Sequence, residues 1–292
     1  MSESIACPIC AAETVFFGAK QGTYFNKEFK FRHCPQCRYS FVENYSTEYA
    51  RIYDENYYRG RGADKTFNYV YEFENPLQTV RQYDWRGILK VVNALKPLST
   101  ETRWLDFGCG SGGLVRHVRE HSPCRASGFE EGWITDYART QGVPILARAD
   151  LPALHGTFDA ITAIEVIEHV PNPLPCLKEM RALLKPGGLL FLTTGNARPF
   201  RTKFFKWAYV VPEIHASYFE PETLAKALTL AGFKPEFRGA VSGFEDILRF
   251  KILKNLGIRK TSLAEKLLPW PLLRYAADKR YKVTAHPIGW AV

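Results

Sequence analysis

The chain has 292 residues, 46% apolar and 24% charged, which fits one large α/β domain or two smaller ones and excludes collagenous, low-complexity and wholly disordered chains. Its 39 Lys and Arg against 30 Asp and Glu leave a net charge of +9, which predicts an anionic partner without naming it. No apolar run approaches the roughly 18 to 20 residues of a membrane-spanning helix, and MSESIACPIC has neither a basic n-region nor an apolar h-region; the expectation is a soluble, cytoplasmic protein.

Four of the seven cysteines form two knuckles, Cys7-Pro-Ile-Cys10 and Cys34-Pro-Gln-Cys37, with 23 residues between them. Two such pairs let four thiolates converge tetrahedrally on zinc, a closed and therefore structural site. A module over residues 1–48 is expected to be a small zinc ribbon, since about 40 residues cannot hold a core without the metal. Between the knuckles, Thr23 to Phe31 alternates aromatic and polar residues, as a half-buried strand would. The five basic and five acidic residues of 1–48 cancel, which is thin for a phosphate-binding surface.

Residues 49–100 read as a Tyr-rich lid (Tyr49, Tyr53, Tyr57, Tyr58) followed by a linking helix from about Leu77 to Leu95, stopped by Lys96-Pro97. From Arg103 onward short apolar runs alternate with longer amphipathic stretches, the pattern of βα units and a parallel sheet covered on both faces. Strands are expected over 103–107, 125–130, 143–147, 158–164, 189–194, 234–241 and 282–291, a seven-stranded doubly wound α/β sheet within a 101–292 domain. Insertions at about 197–220 and 244–280 interrupt the alternation, and such loops usually build substrate sites. Residues 244–292 hold ten basic against four acidic side chains, and 198–206 adds four basic residues.

Trp104 to Leu114 (WLDFGCGSGGL) is a strand running into a glycine turn and then a helix. Gly108, Gly110 and Gly113 also satisfy GxGxxG, so the loop alone leaves a nicotinamide cofactor and S-adenosylmethionine both open. Glu130, at the end of the next strand, suits a ribose that both cofactors carry. Asp106 would face a phosphate badly but suits a cationic methionine moiety.

The loop resembles motif I of class I S-adenosylmethionine-dependent methyltransferases, and further matches follow in order over roughly 101–243: Asp150, the segment Phe158 to Val170, the Leu184-Lys-Pro-Gly-Gly turn, and His215 to Leu224. The resemblance implies a Rossmann-like fold, a cofactor site at Asp106, Gly108, Gly110, Gly112, Glu130, Asp150 and Glu165, and methyl transfer. Candidate bases are His169 and His215, because histidine titrates nearest neutral pH. On a helix, Glu165, Glu168 and His169 would share one face; this Glu-x-x-Glu-His pattern is similar to that of ubiquinone-pathway O-methyltransferases and small-RNA 2′-O-methyltransferases, which implies a magnesium-type ion with His215 as a fourth ligand.

The basic, aromatic stretches Arg198 to Trp207 and Phe250 to Lys260, with the apolar Leu267 to Tyr275, suit an anionic membrane surface or a phosphorylated acceptor. The first reading is O-methylation of a glycan, sugar-lipid or other small phosphate-bearing molecule, with contact to the inner face of a membrane. An RNA methyltransferase and a non-catalytic S-adenosylmethionine-binding module stand as alternatives, nucleic acid being the less favoured partner.

Overall fold

The computed structural model describes residues 5–237, 242–273 and 289–291. The N-terminal segment forms antiparallel strands β1 (Val15–Gln21), β2 (Glu28–His33) and β3 (Ser40–Val42). The alternation expected over 23–31 holds from Glu28, where Glu28 and Lys30 are exposed and Phe29 and Phe31 fully buried. Residues 23–27 are instead a turn, closed by Gly22 N donating to Lys27 O at 2.9 Å. Each cysteine knuckle ends on a non-glycine residue in the left-handed region, Ala11 (φ 60°) and Arg38 (φ 64°). Their N–H groups reach back to Cys7 O and Cys34 O, both at 2.9 Å. A left-handed L-residue costs roughly 1–2 kcal/mol, so the same strained turn used twice marks a structure that the four sulfurs, rather than local preference, determine.

Short helices α1 (Tyr49–Ile52), α2 (Glu55–Tyr58) and α3 (Tyr69–Glu74) precede α4 (Arg81–Leu95). The linking helix begins four residues later than expected because Pro76–Gln78 form a separate 3₁₀ turn. The βα units follow as β4 (Arg103–Phe107), α5 (Gly113–His121), β5 (Arg125–Phe129), α6 (Trp133–Thr140), β6 (Ile145–Leu146), β7 (Phe158–Ile164), α7 (Pro173–Leu183) and β8 (Leu184–Thr194). Then come β9 (Ser217–Tyr218), α8 (Pro221–Leu230), α9 (Phe244–Asn255), α10 (Leu263–Lys266) and β10 (Gly289–Ala291). The main sheet has the order β10-β8-β7-β4-β5-β6, parallel except for β10 against β8. Six of the seven expected strands are thus present among the described residues. For the remaining one, 234–237 join no strand and 238–241 lie outside the described residues, as do 282–288 of the last.

Strand β9 comes from the 197–220 insertion yet pairs with β3, so the ribbon sheet runs β1-β2-β3-β9. Cys7, Cys34, Tyr39 and Phe41 share one apolar core with Leu105, Ile161, Leu177 and Leu224, while α4, α5 and α9 cover the opposite face of the sheet. At the sheet's centre Trp104 is 1% exposed. Its Nε1–H donates to Thr162 Oγ1 at 2.9 Å, and that hydroxyl donates to Asp106 Oδ1 at 2.7 Å. Thr162→Val keeps the shape and strands a buried indole N–H and a buried carboxyl together, so it is expected to cost about 2–3 kcal/mol in urea unfolding; a loss under about 0.5 kcal/mol would show that neither contact matters.

Candidate active site

The parallel strands deliver their carboxyl ends to one edge, where ligands of open α/β sheets sit. At the end of β4 the chain turns through Gly108 (φ 77°), Gly110 (φ 53°) and Gly112 (φ 78°), a run only glycine adopts freely. A Cβ on Gly108 would stand 2.5 Å from Val166 and one on Gly112 2.6 Å from Val143, whereas one on Gly110 would meet nothing within 4 Å. The loop is therefore packed at its two ends and open at its crest. Glu130, just past β5, accepts from Gly110 N and Glu131 N, both at 2.9 Å, and burial raises its carboxyl above the ordinary range. Asp106 is buried against Thr162, and burial pushes it up to about 7. Asp150 is exposed in a 3₁₀ turn, its carboxylate accepting from Ala147 N at 3.2 Å. An open crest of backbone beside a buried carboxylate fits a nucleoside bearing ribose hydroxyls.

Beside this edge, the ligand atoms of Glu168, His169 and His215 all lie within 4.8 Å of one another. His169 donates Nδ1–H to Ile214 O at 2.8 Å and His215 donates Nδ1–H to Tyr209 O at 2.6 Å, tautomers assigned from these contacts. Each ring keeps a neutral Nε2 with a free lone pair. Burial lowers both imidazoles, with His169 adding to the effect on His215, which is pushed down to about 3. Glu168 is fully buried; Tyr209 OH donates to its Oε1, and Thr194 Oγ1 donates to its Oε2 at 2.8 Å. Burial and the neighbouring Glu165 raise the Glu168 carboxyl. Tyr53 ties the two regions together: its hydroxyl lies 2.9 Å from His169 Nδ1, and burial and then the charge of Glu130 raise its phenol.

The helical grouping of Glu165 with Glu168 and His169 does not form. Strand β7 ends at Ile164, Glu165 takes a left-handed φ of 55°, and Ile167–His169 make a single 3₁₀ turn. The Glu165 carboxylate accepts from Lys251 Nζ at 3.0 Å and Thr193 Oγ1 at 2.9 Å, with the Tyr209 hydroxyl, whose proton points to Glu168, 3.2 Å away. Burial opposes its charge, yet Lys251 and Lys254 hold it well below the usual carboxylate range. The converging set is Glu168, His169 and His215, one oxygen and two nitrogen donors suited to a divalent cation, each histidine oriented by a backbone carbonyl as metal-bound imidazoles are. Tyr209, Thr193, Thr194 and Lys251 escaped the sequence reading; for Lys251 the signal was the basic concentration after residue 244.

In the ribbon, Sγ of Cys7 and Cys37 are 3.5 Å apart, those of Cys10 and Cys34 3.4 Å, and all four lie within 4.8 Å. Tetrahedral 2.3 Å bonds to zinc place sulfurs about 3.8 Å apart, and a disulfide requires about 2.05 Å. The spacing fits a metal and not a bridge.

The family model described as "Methyltransferase domain" matches residues 78–236, more than half of the chain. The ubiquinone biosynthesis O-methyltransferase of Xanthomonas campestris pv. campestris (strain B100) is 36% identical over 149 residues, covering 41% of this chain and 58% of that protein. Its namesake from Histophilus somni (strain 2336) is 36% identical over 155 residues, covering 44% and 62%. The chain thus spans about three fifths of the curated relatives it matches. In fold it is similar to phosphoethanolamine N-methyltransferase 2 of Haemonchus contortus, solved with phosphomonomethylethanolamine and S-adenosylhomocysteine, with a TM-score of 0.50, 17% identity, and coverage of 82% of this chain and 59% of that one. With the glycine turn and Glu130 at the carboxyl edge of the sheet, the family match identifies the chain as a class I S-adenosylmethionine-dependent methyltransferase.

Proposed function

We propose that the protein transfers a methyl group to a hydroxyl of a small-molecule acceptor. The observation that carries this reading is the convergence of Glu168, His169 and His215 next to the glycine edge. Gly108, Gly110 and Gly112 would hold the cofactor against backbone, Glu130 would accept its ribose hydroxyls, and Asp106 would sit under the methionine end. Methyl transfer from a sulfonium is an in-line displacement, so the site must position the two reactants, exclude water and take one proton from the hydroxyl. Tyr53 and Tyr58, whose phenols feel the charge of Glu130, would exclude water from this edge. When no cation fills the cluster, His215 Nε2 is its unprotonated nitrogen; burial and His169 lower its basicity and the charge of Glu165 raises it, so it would take the proton only as the hydroxyl loses it to methyl transfer. Glu168, His169 and His215 would hold a divalent cation such as Mg2+, which when bound lowers the pKa of the acceptor hydroxyl. Cys7, Cys10, Cys34 and Cys37 would hold zinc that stabilises the ribbon.

The relatives named for ubiquinone biosynthesis support a hydroxyl acceptor. The exposed side chains of Leu256, Leu263, Leu267 and Leu272, in the basic segment after residue 244, support an acceptor carrying a lipid tail, as in a sugar-lipid or prenylated ring, presented at a membrane surface. No helix of the described residues is long and apolar enough to cross a membrane. RNA is the less favoured acceptor because three of the five ribbon cations are engaged internally, Lys20 with Val210 O, Lys27 with Asn44 O and Arg32 with Glu43. The test supplies 13C-methyl S-adenosylmethionine and a source-cell extract to protein dialysed against EDTA, its ribbon zinc verified as retained by elemental analysis, with and without added Mg2+, and reads the product by NMR. We expect an O-methyl resonance in the organic phase that Mg2+ raises at least about tenfold. Label on nitrogen, or confined to RNA, would overturn the reading.

A further inference from the structure

Helix α9 carries Lys251 and Lys254 one turn apart beside Glu165, and of the two only Lys251 pairs with it, at 3.0 Å. Lys254, one turn on, is half-buried, and among the described residues its ammonium makes no hydrogen bond and no ion pair. Its described contact is the face of Phe67, with Nζ 4.5 Å from the ring centroid. Its charge still reaches the site, holding Glu165 down and adding to the depression of His215. Lys251 and Arg81 repel it, while Glu165 and Asp64 attract it without forming an ion pair. Burial and then Lys251 push it down to about 8. An ammonium partly drawn out of water, touching one aromatic face and meeting no hydrogen-bond acceptor among the described residues, is costly to keep unless a ligand meets its N–H groups.

We propose that Lys254, backed by Lys251, binds an anionic substituent of the methyl acceptor, a carboxylate or a phosphate, and so selects the hydroxyl that reaches Glu168, His169 and His215. The proposal rests on the O-methyl transfer reading for the identity of the reaction but not for the binding of the anion. Lys254 is a specificity residue in this scheme, not a catalytic one. A point cation of this kind suits either anion, whereas a planar carboxylate alone would favour arginine.

The test has a binding arm and a turnover arm. Protein loaded with S-adenosylhomocysteine is titrated with benzoate and with inorganic phosphate by calorimetry, for the wild type, Lys254→Gln, Lys254→Arg and Lys178→Gln, a control at an exposed residue of α7. We expect Lys254→Gln to weaken the preferred anion at least about tenfold, Lys254→Arg to keep it within about threefold, and Lys178→Gln to change nothing. The tighter of the two anions in the wild type identifies the carboxylate or the phosphate. Equal binding by the wild type and Lys254→Gln, or no binding to either, overturns the proposal. In turnover, Lys254→Gln should raise KM for 3,4-dihydroxybenzoate at least about tenfold with kcat within about threefold, and leave 3,4-dihydroxybenzyl alcohol unaffected. An equal rise for both diols also overturns it. If neither diol is methylated while Lys254→Gln still loses the anion, the anion site stands and the O-methyl reading falls.

Discussion

Cys37→Ser is expected to lower methyl transfer at least about tenfold while leaving S-adenosylhomocysteine affinity within about twofold of the wild type. The reason lies in how few steps separate the sulfur cluster from the acceptor site. Cys37 O accepts from Thr223 Oγ1 at 2.5 Å, and two residues on, the Tyr39 hydroxyl bonds Ser217 Oγ. Strand β3 then pairs with β9, Phe41 opposite Ser217 and Ser40 opposite Tyr218. Val42 N donates to Ala216 O at 2.9 Å, and Ala216 N donates to Glu168 O at 2.8 Å. Ser217 Oγ also donates to Val170 O at 2.5 Å. His215 thus hangs on a short strand whose only sheet partner among the described residues is the ribbon, and the backbone of Glu168 is tied to the same strand. Structural zinc supplies roughly 10–16 kcal/mol of apparent folding energy to small ribbons, so losing one thiolate should loosen this strand first. The glycine turn and Glu130 depend instead on the pairing of β4 with β5. Elemental analysis should show zinc lost from the variant, and the assay must contain excess Mg2+ so that the two metals are not confused. Zinc-free protein with full turnover would refute the coupling. Loss of S-adenosylhomocysteine binding together with the far-UV circular dichroism signal would show that the ribbon holds up the whole fold instead.

The parts of this molecule written in short-range pattern were legible in its sequence. The turn through Gly108, Gly110 and Gly112 reads directly, because backbone that must bend left-handed has few residues to choose from. The knuckles read equally well, since four thiols at two-residue gaps have one common use in a chain of this kind. What did not read is pairing across long separations. Nothing near Glu165 says that it will meet Lys251, 86 residues away, or that Thr193 and Tyr209 will complete its shell. The helical grouping of Glu165, Glu168 and His169 failed for a local reason, because a strand buried on both faces runs straight into that segment and ends in a left-handed residue instead of a helix cap. The two-residue strand β9 carried no periodicity at all, yet it joins the ribbon to the segment holding His215 and Glu168.

The largest effect on the reaction should come from His215→Ala and Glu168→Gln, each lowering kcat by about two to three orders of magnitude with S-adenosylhomocysteine affinity held within about twofold. Both side chains are too deep for a solvent role: Glu168 is 0% and His215 9% exposed. A fully buried carboxyl raised by burial and by Glu165 is stable only as the neutral acid or against a cation, and two neutral imidazoles face it. The two variants also separate the roles of the cluster. If His215 Nε2 holds a cation, His215→Ala and Glu168→Gln should both shift the Mg2+ or Mn2+ midpoint upward by about ten- to a hundredfold, and excess metal should recover part of the rate. If His215 acts only as a base, its removal should leave the midpoint in place, and a small exogenous imidazole should restore turnover where added metal does not. Full activity in either variant would remove the cluster from the reaction and leave the methyl acceptor to be activated by groups elsewhere along the glycine edge.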